Sequence, residues 1–328
     1  MSDKLTDMRN IQFLLHEVLK TEELTQYPYF ADHSRETFDM AIDTAYQMAR
    51  EVLWPTFQTC DREEVHFDGE KVTVPECLHE IWRLCKEGGW FAPNVSFEMG
   101  GQQFPMTIFA VTSFLFSAGN SAAAMYVNAT WGAAHLIESF GDEAMKEKYL
   151  ASLYAGEWGG TMALTEPDAG TSLGDIKATA VKAPDGDHYL IRGVKRFISG
   201  GDHDLAPNII HPVLVRIEGS PPGVKGISLF LVPKFRINDD GSLGDFNDVL
   251  TAGIEHKMGL KGSATTTLNF GDKGDCHGWL IGEPDKGLSY MFSLMNHARI
   301  YTGIQAIASA SAAYQCALQY ARERVQGR

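Results

Sequence analysis

The 328-residue chain is poor in cysteine and in positive charge. Its five cysteines, Cys60, Cys77, Cys85, Cys276 and Cys316, are scattered and form no CxxC pair. That spacing argues against a disulfide framework and against a zinc site, and for reduced, mostly buried thiols in a cytoplasmic setting. Lys and Arg number 28 against 42 Asp and Glu, a net charge of −14. Nucleic-acid binding needs a basic face, so that partner class is excluded. No integral membrane segment is expected, because the longest apolar run, Ile108 to Ala118, is broken by Thr112, Ser113 and Ser117 and is too short for a bilayer. The N-terminus, Met1-Ser2-Asp3-Lys4-Leu5, lacks the basic-then-apolar layout of a secretory signal. Internal repeats and low-complexity stretches are also missing. What is left is a globular composition, 44% hydrophobic and 21% charged, long enough for two or three domains.

The first half reads helical. Ile11, Leu14, Leu15, Val18 and Leu19 make one stripe at helical spacing. Phe38, Ala41, Ile42, Ala45, Met48, Ala49 and Val52 make another, which Pro55 is expected to end. Further helices fit 75–86, 105–117, 121–140 and 142–155, with Gly88-Gly89 and Gly100-Gly101 as turns. Around Trp158 the pattern changes to short apolar runs at 159–164, 176–182, 189–198, 208–217, 227–233 and 265–270. Asp185-Gly186 and Pro222-Gly223 mark turns between them, and the spacing predicts a barrel or sandwich. From Leu288 to about Val325 the period is helical again, over roughly 57 Å. Small and apolar residues occupy nearly all faces of its middle, so it should be buried among other helices. The expected division is therefore 1–157 (helical), 158–285 (β) and 286–328 (the start of a helical bundle), an α+β multidomain chain whose bundle partners are downstream sequence or another subunit.

Two segments stand out as a site. Thr165-Glu166-Pro167-Asp168-Ala169-Gly170 offers a hydroxyl, free amides and a Gly-opened turn that would suit an anion, or is a plain Pro-Gly loop. Phe197 and Ser199 alternate with Ile198 on a strand and share a face. One would stack on a planar ring while the other hydrogen-bonds it; otherwise they are a core Phe and a satisfied Ser. Lys195-Arg196 reads as a solvated charge pair, and Asp202-His203-Asp204 as a polar turn rather than a metal cluster. The loop from His256 and Lys257 to Ser263 would bind phosphate or simply connect strands. Arg299 is the only Lys, Arg, Asp or Glu between Lys286 and Arg322, so it contacts a polar ligand or sits in a buried salt bridge. Arg322, Glu323, Arg324 and Arg328 cluster at the helix C-terminus, where cations suit the helix dipole.

In order along the chain, Ala163–Gly170, Gly193–Ser199, Gly226–Pro233, Lys257-Met258-Gly259, Arg299 and Tyr320–Arg324 resemble the acyl-CoA dehydrogenase family over essentially the whole sequence. The phrases running from Phe197 to Asp204 and from Pro221 to Gly226 look like the branch that includes 3-methylmercaptopropionyl-CoA dehydrogenase and related fatty-acyl-CoA dehydrogenases. The resemblance implies a helical N-terminal domain, a middle β-barrel, a C-terminal helical bundle, and FAD held between barrel and bundle in a homo-oligomer. By the family pattern Met162, Leu164, Thr165, Gly170 and Thr171 line the flavin and its phosphates. Phe197, where the family more often has Trp, lies against the ring, and Ser199, where Thr is common, reaches flavin N5. Asn296 and Arg299 match positions near the pantetheine, Thr171 is counted with them as well as with the flavin, and Arg324 matches an arginine that contacts FAD, often of a neighbouring subunit. Ser172 departs from the usual Asp.

The implied chemistry is α,β-dehydrogenation of an acyl-CoA thioester, with electrons passed to an electron-transfer flavoprotein. A buried carboxylate would take the α-proton. One branch carries that Glu just before the helix arginine, where this chain has Ala298; the other carries it in the last helices of the bundle, so the catalytic Glu is expected beyond Arg328. Glu166 belongs to its motif but serves the turn, and no catalytic residue is named. The alternatives are a non-catalytic flavin- or acyl-CoA-binding chain completed by a partner, and an acyl-CoA oxidase.

Overall fold

The computed structural model describes residues 5–184 and 186–327. The readings made on Met1 to Lys4, on Asp185 in its turn, and on Arg328 lie outside the described residues.

The N-terminal region is helical, as expected. Helices α1 (Met8–Gln12), α2 (Arg35–Met48), α3 (Trp54–Arg62), α4 (Cys77–Glu87), α5 (Met106–Phe140) and α6 (Glu143–Tyr154) surround a small hairpin of β1 (His66–Phe67) and β2 (Val72–Thr73). Ser34 opens α2 with a capping box, its hydroxyl accepting from Thr37 N while Thr37 Oγ1 accepts from Ser34 N. Pro55 does not stop the following helix. A π-turn over Ala49–Leu53 links α2 to α3, and Pro55 enters in the first turn after it, where a missing N–H costs little. The first stripe is not a buried face either: Leu15 is buried, but Leu14, Val18 and Leu19 are exposed.

The two helices expected over 105–117 and 121–140 are one element, α5, kinked at Asn120 (φ −156°, ψ 94°). By length and composition α5 would suffice to cross a membrane, but 72% of its apolar window is buried inside the fold. It is the core helix against which α2, α3, α6 and the C-terminal helix pack.

The β region follows: β3 (Gly159–Gly160), β4 (Thr179–Lys182), β5 (Tyr189–Ser199), β6 (Ile209–Ile217), β7 (Ile227–Pro233), β8 (Phe235–Ile237), β9 (Leu243–Phe246), β10 (Val249–Ile254), β11 (Thr265–Phe270) and β12 (His277–Leu280). Strand β4 pairs with β5 and with β6, β6 with β7, β7 with β12, and β12 back with β5, so the ring closes into a barrel, with β11 and β10 extending it. Strands β6 and β7 are buried over nearly their whole length because both faces are covered. Val213, Val215, Phe230 and Val232 fill the barrel, while Ile210, Leu214, Leu229 and Leu231 turn to the helical side. Contact there is close: a Cβ on Gly160 would lie 2.6 Å from Ala133 Cβ of α5, and Gly160 N donates to Thr130 Oγ1 at 3.1 Å.

Helix α7 (Gly287–Glu323) packs along α5. Within this chain only part of its surface is covered, the bundle partners expected for it being outside the chain. Met291, Leu294, Ala308 and Ala312 are buried, but Ile300 (63%), Ile307 (67%) and Tyr314 (62%) are exposed in a row seven residues apart. An apolar stripe at that spacing is a helix-packing face.

Candidate functional site

The two motif segments meet through β5. Its register with β11 pairs Ile198 with Thr266 and Lys195 with Leu268, so Arg196 and Phe197 together oppose Thr267. This is a β-bulge. It puts Phe197 in the left-handed region (φ +62°), an uncommon conformation for a bulky residue, and leaves its ring 55% exposed. The Arg196 guanidinium sits 4.9 Å from the centre of that ring. The bulge brings Phe197 and Ser199 to one wall, as alternation alone suggested, but by a strained backbone rather than a regular strand.

That wall closes one side of a 480 Å³ cavity between barrel, α5 and α7. Met162 lies on it beside Phe197 and Ser199, with Trp131 and Gly132 from α5 and His297 and Tyr301 from α7 opposite. Trp131 stacks on His135 (5.1 Å, 7°), donates through Nε1 to Asn94 Oδ1 at 2.9 Å, and meets His297 edge-on at 5.4 Å. The Tyr301 hydroxyl lies 3.3 Å from Ser117 Oγ, and burial pushes it up to about 12. Two buried polar atoms on lining residues, Thr107 Oγ1 and Gln305 Nε2, have no hydrogen-bond partner among the described residues. The Ser199 hydroxyl makes none within the described chain either. None of the lining residues is Asp or Glu. The α5 and α7 contributors were legible only as helix, because a wall assembled from two helices leaves no local motif.

The other motif segment is fixed from beneath. Glu166 and Ala169 exchange backbone hydrogen bonds (3.0 and 3.1 Å), making a tight turn. Glu166 is buried, and its carboxylate accepts from Lys177 N (2.7 Å), Ala178 N (3.1 Å) and Lys195 Nζ (2.8 Å). Lys195 is therefore not solvated: it is fully buried, also donates to Leu164 O at 3.0 Å, and is paired with Glu166 because nothing else could compensate its charge there. Desolvation pulls its pKa down to about 8 against the upward pull of Glu166. Only Arg196 keeps to the expectation, half-buried beside Glu255 at 3.0 Å. The turn does not need Gly170 for its geometry. The residue has no positive φ, and a Cβ there would meet open space. Leu164 is buried beneath the turn, Thr165 is half-buried and accepts Arg196 N at 2.8 Å, and Thr171 is exposed beside Gly170.

The remaining expected residues lie apart from the cavity wall. Arg299 is exposed, so it forms no buried salt bridge; it donates to Asn296 Oδ1 at 2.7 Å and lies 5.4 Å over the Phe292 ring. Arg324 caps the far end of α7, about 40 Å along the axis from His297. Asp202-His203-Asp204 is a turn, yet one buried at Asp202 and His203 and exposed only at Asp204. Asp202 accepts from Lys234 Nζ and Thr251 Oγ1, His203 is held neutral by burial with its pKa near about 3, and Asp204 accepts Val74 N. The basic residues of the 256–263 loop are engaged as well, His256 and Lys261 with Glu64 and Lys257 with Ser263 O.

Comparison with known proteins agrees with this fold. The acyl-CoA dehydrogenase N-terminal domain matches residues 35–157, and the acyl-CoA dehydrogenase middle domain matches 161–272. The chain is 37% identical over 331 residues to a butyryl-CoA dehydrogenase of Syntrophomonas wolfei, covering 98% of this chain and 54% of that protein. It is 33% identical over 321 residues to 3-methylmercaptopropionyl-CoA dehydrogenase of Ruegeria pomeroyi, covering 98% and 54%. It thus spans about half the length of these relatives. The structure resembles that of an acyl-CoA dehydrogenase complexed with FAD from Bacillus anthracis, with a TM-score of 0.74 at 27% identity over 91% of this chain and 46% of that one. Helical N-terminal region, closed barrel and long C-terminal helix, with sequence matches to both domains, show that this chain belongs to the acyl-CoA dehydrogenase family.

Proposed function

We propose that the chain forms the flavin-facing part of an FAD-dependent acyl-CoA dehydrogenase that converts an acyl-CoA thioester to the trans-2-enoyl-CoA and passes electrons to an electron-transfer flavoprotein. One observation carries the reading. The bulge in β5 holds a half-exposed aromatic ring and a free hydroxyl together on an apolar cavity between barrel and helices. The residues present fit FAD: Phe197 offers a flat face, Ser199 an unused hydroxyl, and Gly170 a backbone that a phosphate can approach because no side chain stands there. Bound FAD would supply the acceptor for the substrate's β-hydrogen. Met162, Leu164, Thr165 and Thr171 would line the cofactor, Thr171 also facing substrate, and Asn296 and Arg299 would hold the pantetheine from the exposed side of α7. At its distance from the cavity, Arg324 would serve the FAD of a neighbouring subunit in a homo-oligomer. On this reading the chain divides at 157/158 and 285/286.

The cavity wall carries no carboxylate, and Ala298 stands where one branch has its base. We place the base on helical sequence that covers the exposed row Ile300, Ile307 and Tyr314, beyond residue 328. The same observation favours a second reading, a binding chain completed by a separate partner. Titration of purified chain with FAD tests both. Expected are stoichiometric binding that weakens in Phe197→Ala, and a shifted flavin spectrum, without anaerobic bleaching, when butyryl-CoA is added. Failure to bind FAD at all would sink both readings, and bleaching by the chain alone would overturn the placement of the base.

A further inference from the structure

The sequence separates Cys60 and Cys77 by the β1–β2 hairpin, but the fold returns them to each other. Cys60 lies in α3 and Cys77 at the first position of α4, and their Sγ atoms are 3.6 Å apart. Cys60 is buried while Cys77 is half-buried, so Cys77 is the more accessible residue of the pair. The Cys60 sulfur also accepts from Asn120 Nδ2 at 3.3 Å, and Asn120 is the residue at which α5 kinks. The same amide donates to Thr56 Oγ1 at 3.1 Å, so the kink is tied to α3 through the thiol. The remaining thiols are isolated: Cys85 and Cys276 are buried, and Cys316 lies half-buried on α7.

We propose that Cys60 and Cys77 form a dithiol site that closes reversibly to a disulfide by exchange with a small disulfide such as oxidised glutathione. Cys77 is the entry sulfur. Cys77 first passes its proton across their hydrogen bond to the Cys60 thiolate, and the freed Cys77 sulfur attacks one sulfur of oxidised glutathione, forming a Cys77–glutathione disulfide and expelling a glutathione thiolate, which is protonated by solvent. Cys60 then attacks the Cys77 sulfur, forming the Cys60–Cys77 bond and expelling the second glutathione, which leaves with the Cys60 proton. Each cysteine sulfur loses one electron, and the two sulfurs of oxidised glutathione gain them. The sulfurs need to approach by roughly 1.5 Å to bond, a distance within reach of side-chain rotation at two helix positions. Before reaction the shared hydrogen bond stabilises one thiolate across the pair. The Cys77 hydrogen bond, with Asn120 adding a second donor, holds the Cys60 thiol below its usual range against burial, while the same bond and burial push the Cys77 thiol well above its own. Bond formation draws Cys60 from Asn120, which couples the redox state to the α5 kink and so to the Met125–Gly132 wall of the cavity.

The test is to incubate the folded, reduced chain with graded ratios of oxidised to reduced glutathione and map disulfides by mass spectrometry without reduction. Expected is a linked Cys60–Cys77 peptide, with the free-thiol count falling from five to three and the midpoint of thermal unfolding rising by about 5 °C. Cys60→Ser should stop the reaction at a glutathione adduct on Cys77, and Cys77→Ser should leave Cys60 unmodified. The unsubstituted chain decides the matter even if a variant fails to fold. Glutathione on Cys316 alone, or a linked peptide that appears only in denaturant, overturns the proposal.

Discussion

Glu166→Gln is the most informative single substitution, because the structure splits its cost into two measurable parts. The carboxylate accepts three donors, Lys177 N, Ala178 N and Lys195 Nζ. An amide can accept at one oxygen only, so its nitrogen must face a donor. Breaking a buried pair in this way costs roughly 3–5 kcal/mol. The ammonium's share is bounded by proton linkage. Lys195 titrates at about 8 with Glu166 present. Without its partner the same burial lowers its pKa further, so its share at pH 7 is on the order of 1 kcal/mol. The folded pKa of Lys195 lies below the unfolded value near 10.4, so above the folded pKa the unfolded state binds more protons and stability rises with pH. The parent chain begins that gain only near pH 8, whereas the variant has it from pH 7 upward. The destabilisation should therefore shrink by about 1 kcal/mol between pH 7 and pH 9 in urea unfolding, leaving the lost backbone hydrogen bonds as the remainder. In a Lys195→Met background the same substitution should cost the same at both pH values. A cost below about 1 kcal/mol, or one that grows with pH, would refute a buried ion pair that anchors the turn.

Other outcomes follow from the same structure. His203 and His211 are buried, with pKa values pulled to about 3, so their contribution is complete above the unfolded value near 6.5 and lost as pH falls toward 3; by pH 5 each should remove about 2 kcal/mol in denaturant titrations, and His211→Asn should halve the acid sensitivity. Phe197→Asn places a residue that tolerates positive φ at the bulge, so urea unfolding should show no loss of stability while FAD affinity falls about tenfold. Ile307→Lys changes an exposed position of α7 and should reduce self-association in light scattering, with stability altered by no more than about 0.5 kcal/mol.

The motif segments were legible because their chemistry is local. A Pro-Asp-Ala-Gly turn after a strand, and an aromatic two residues before a hydroxyl, are written in consecutive letters. The long helices were legible from period, and β6 and β7 from length and β-branching. Strands β8, β9, β10 and β12 were missed because three to six residues carry too little pattern, and their pairing is settled in three dimensions.

Sequence by itself determined the family, the order of helical and β regions, and the two segments singled out as a candidate site, since each rests on short-range pattern and on motifs in fixed order. Tertiary structure alone decided the rest. Lys195 looked like a surface charge until Glu166, 29 residues earlier, was found beneath it. Phe197 reads as an ordinary strand residue, and only pairing with β11 creates the bulge that turns its ring into the cavity. Cys60 and Cys77 are unremarkable by spacing and adjacent in space. In each case the deciding energy, whether desolvation of a charge, strand register or contact between helices, belongs to a pair of residues far apart in the chain, and no window of sequence contains both.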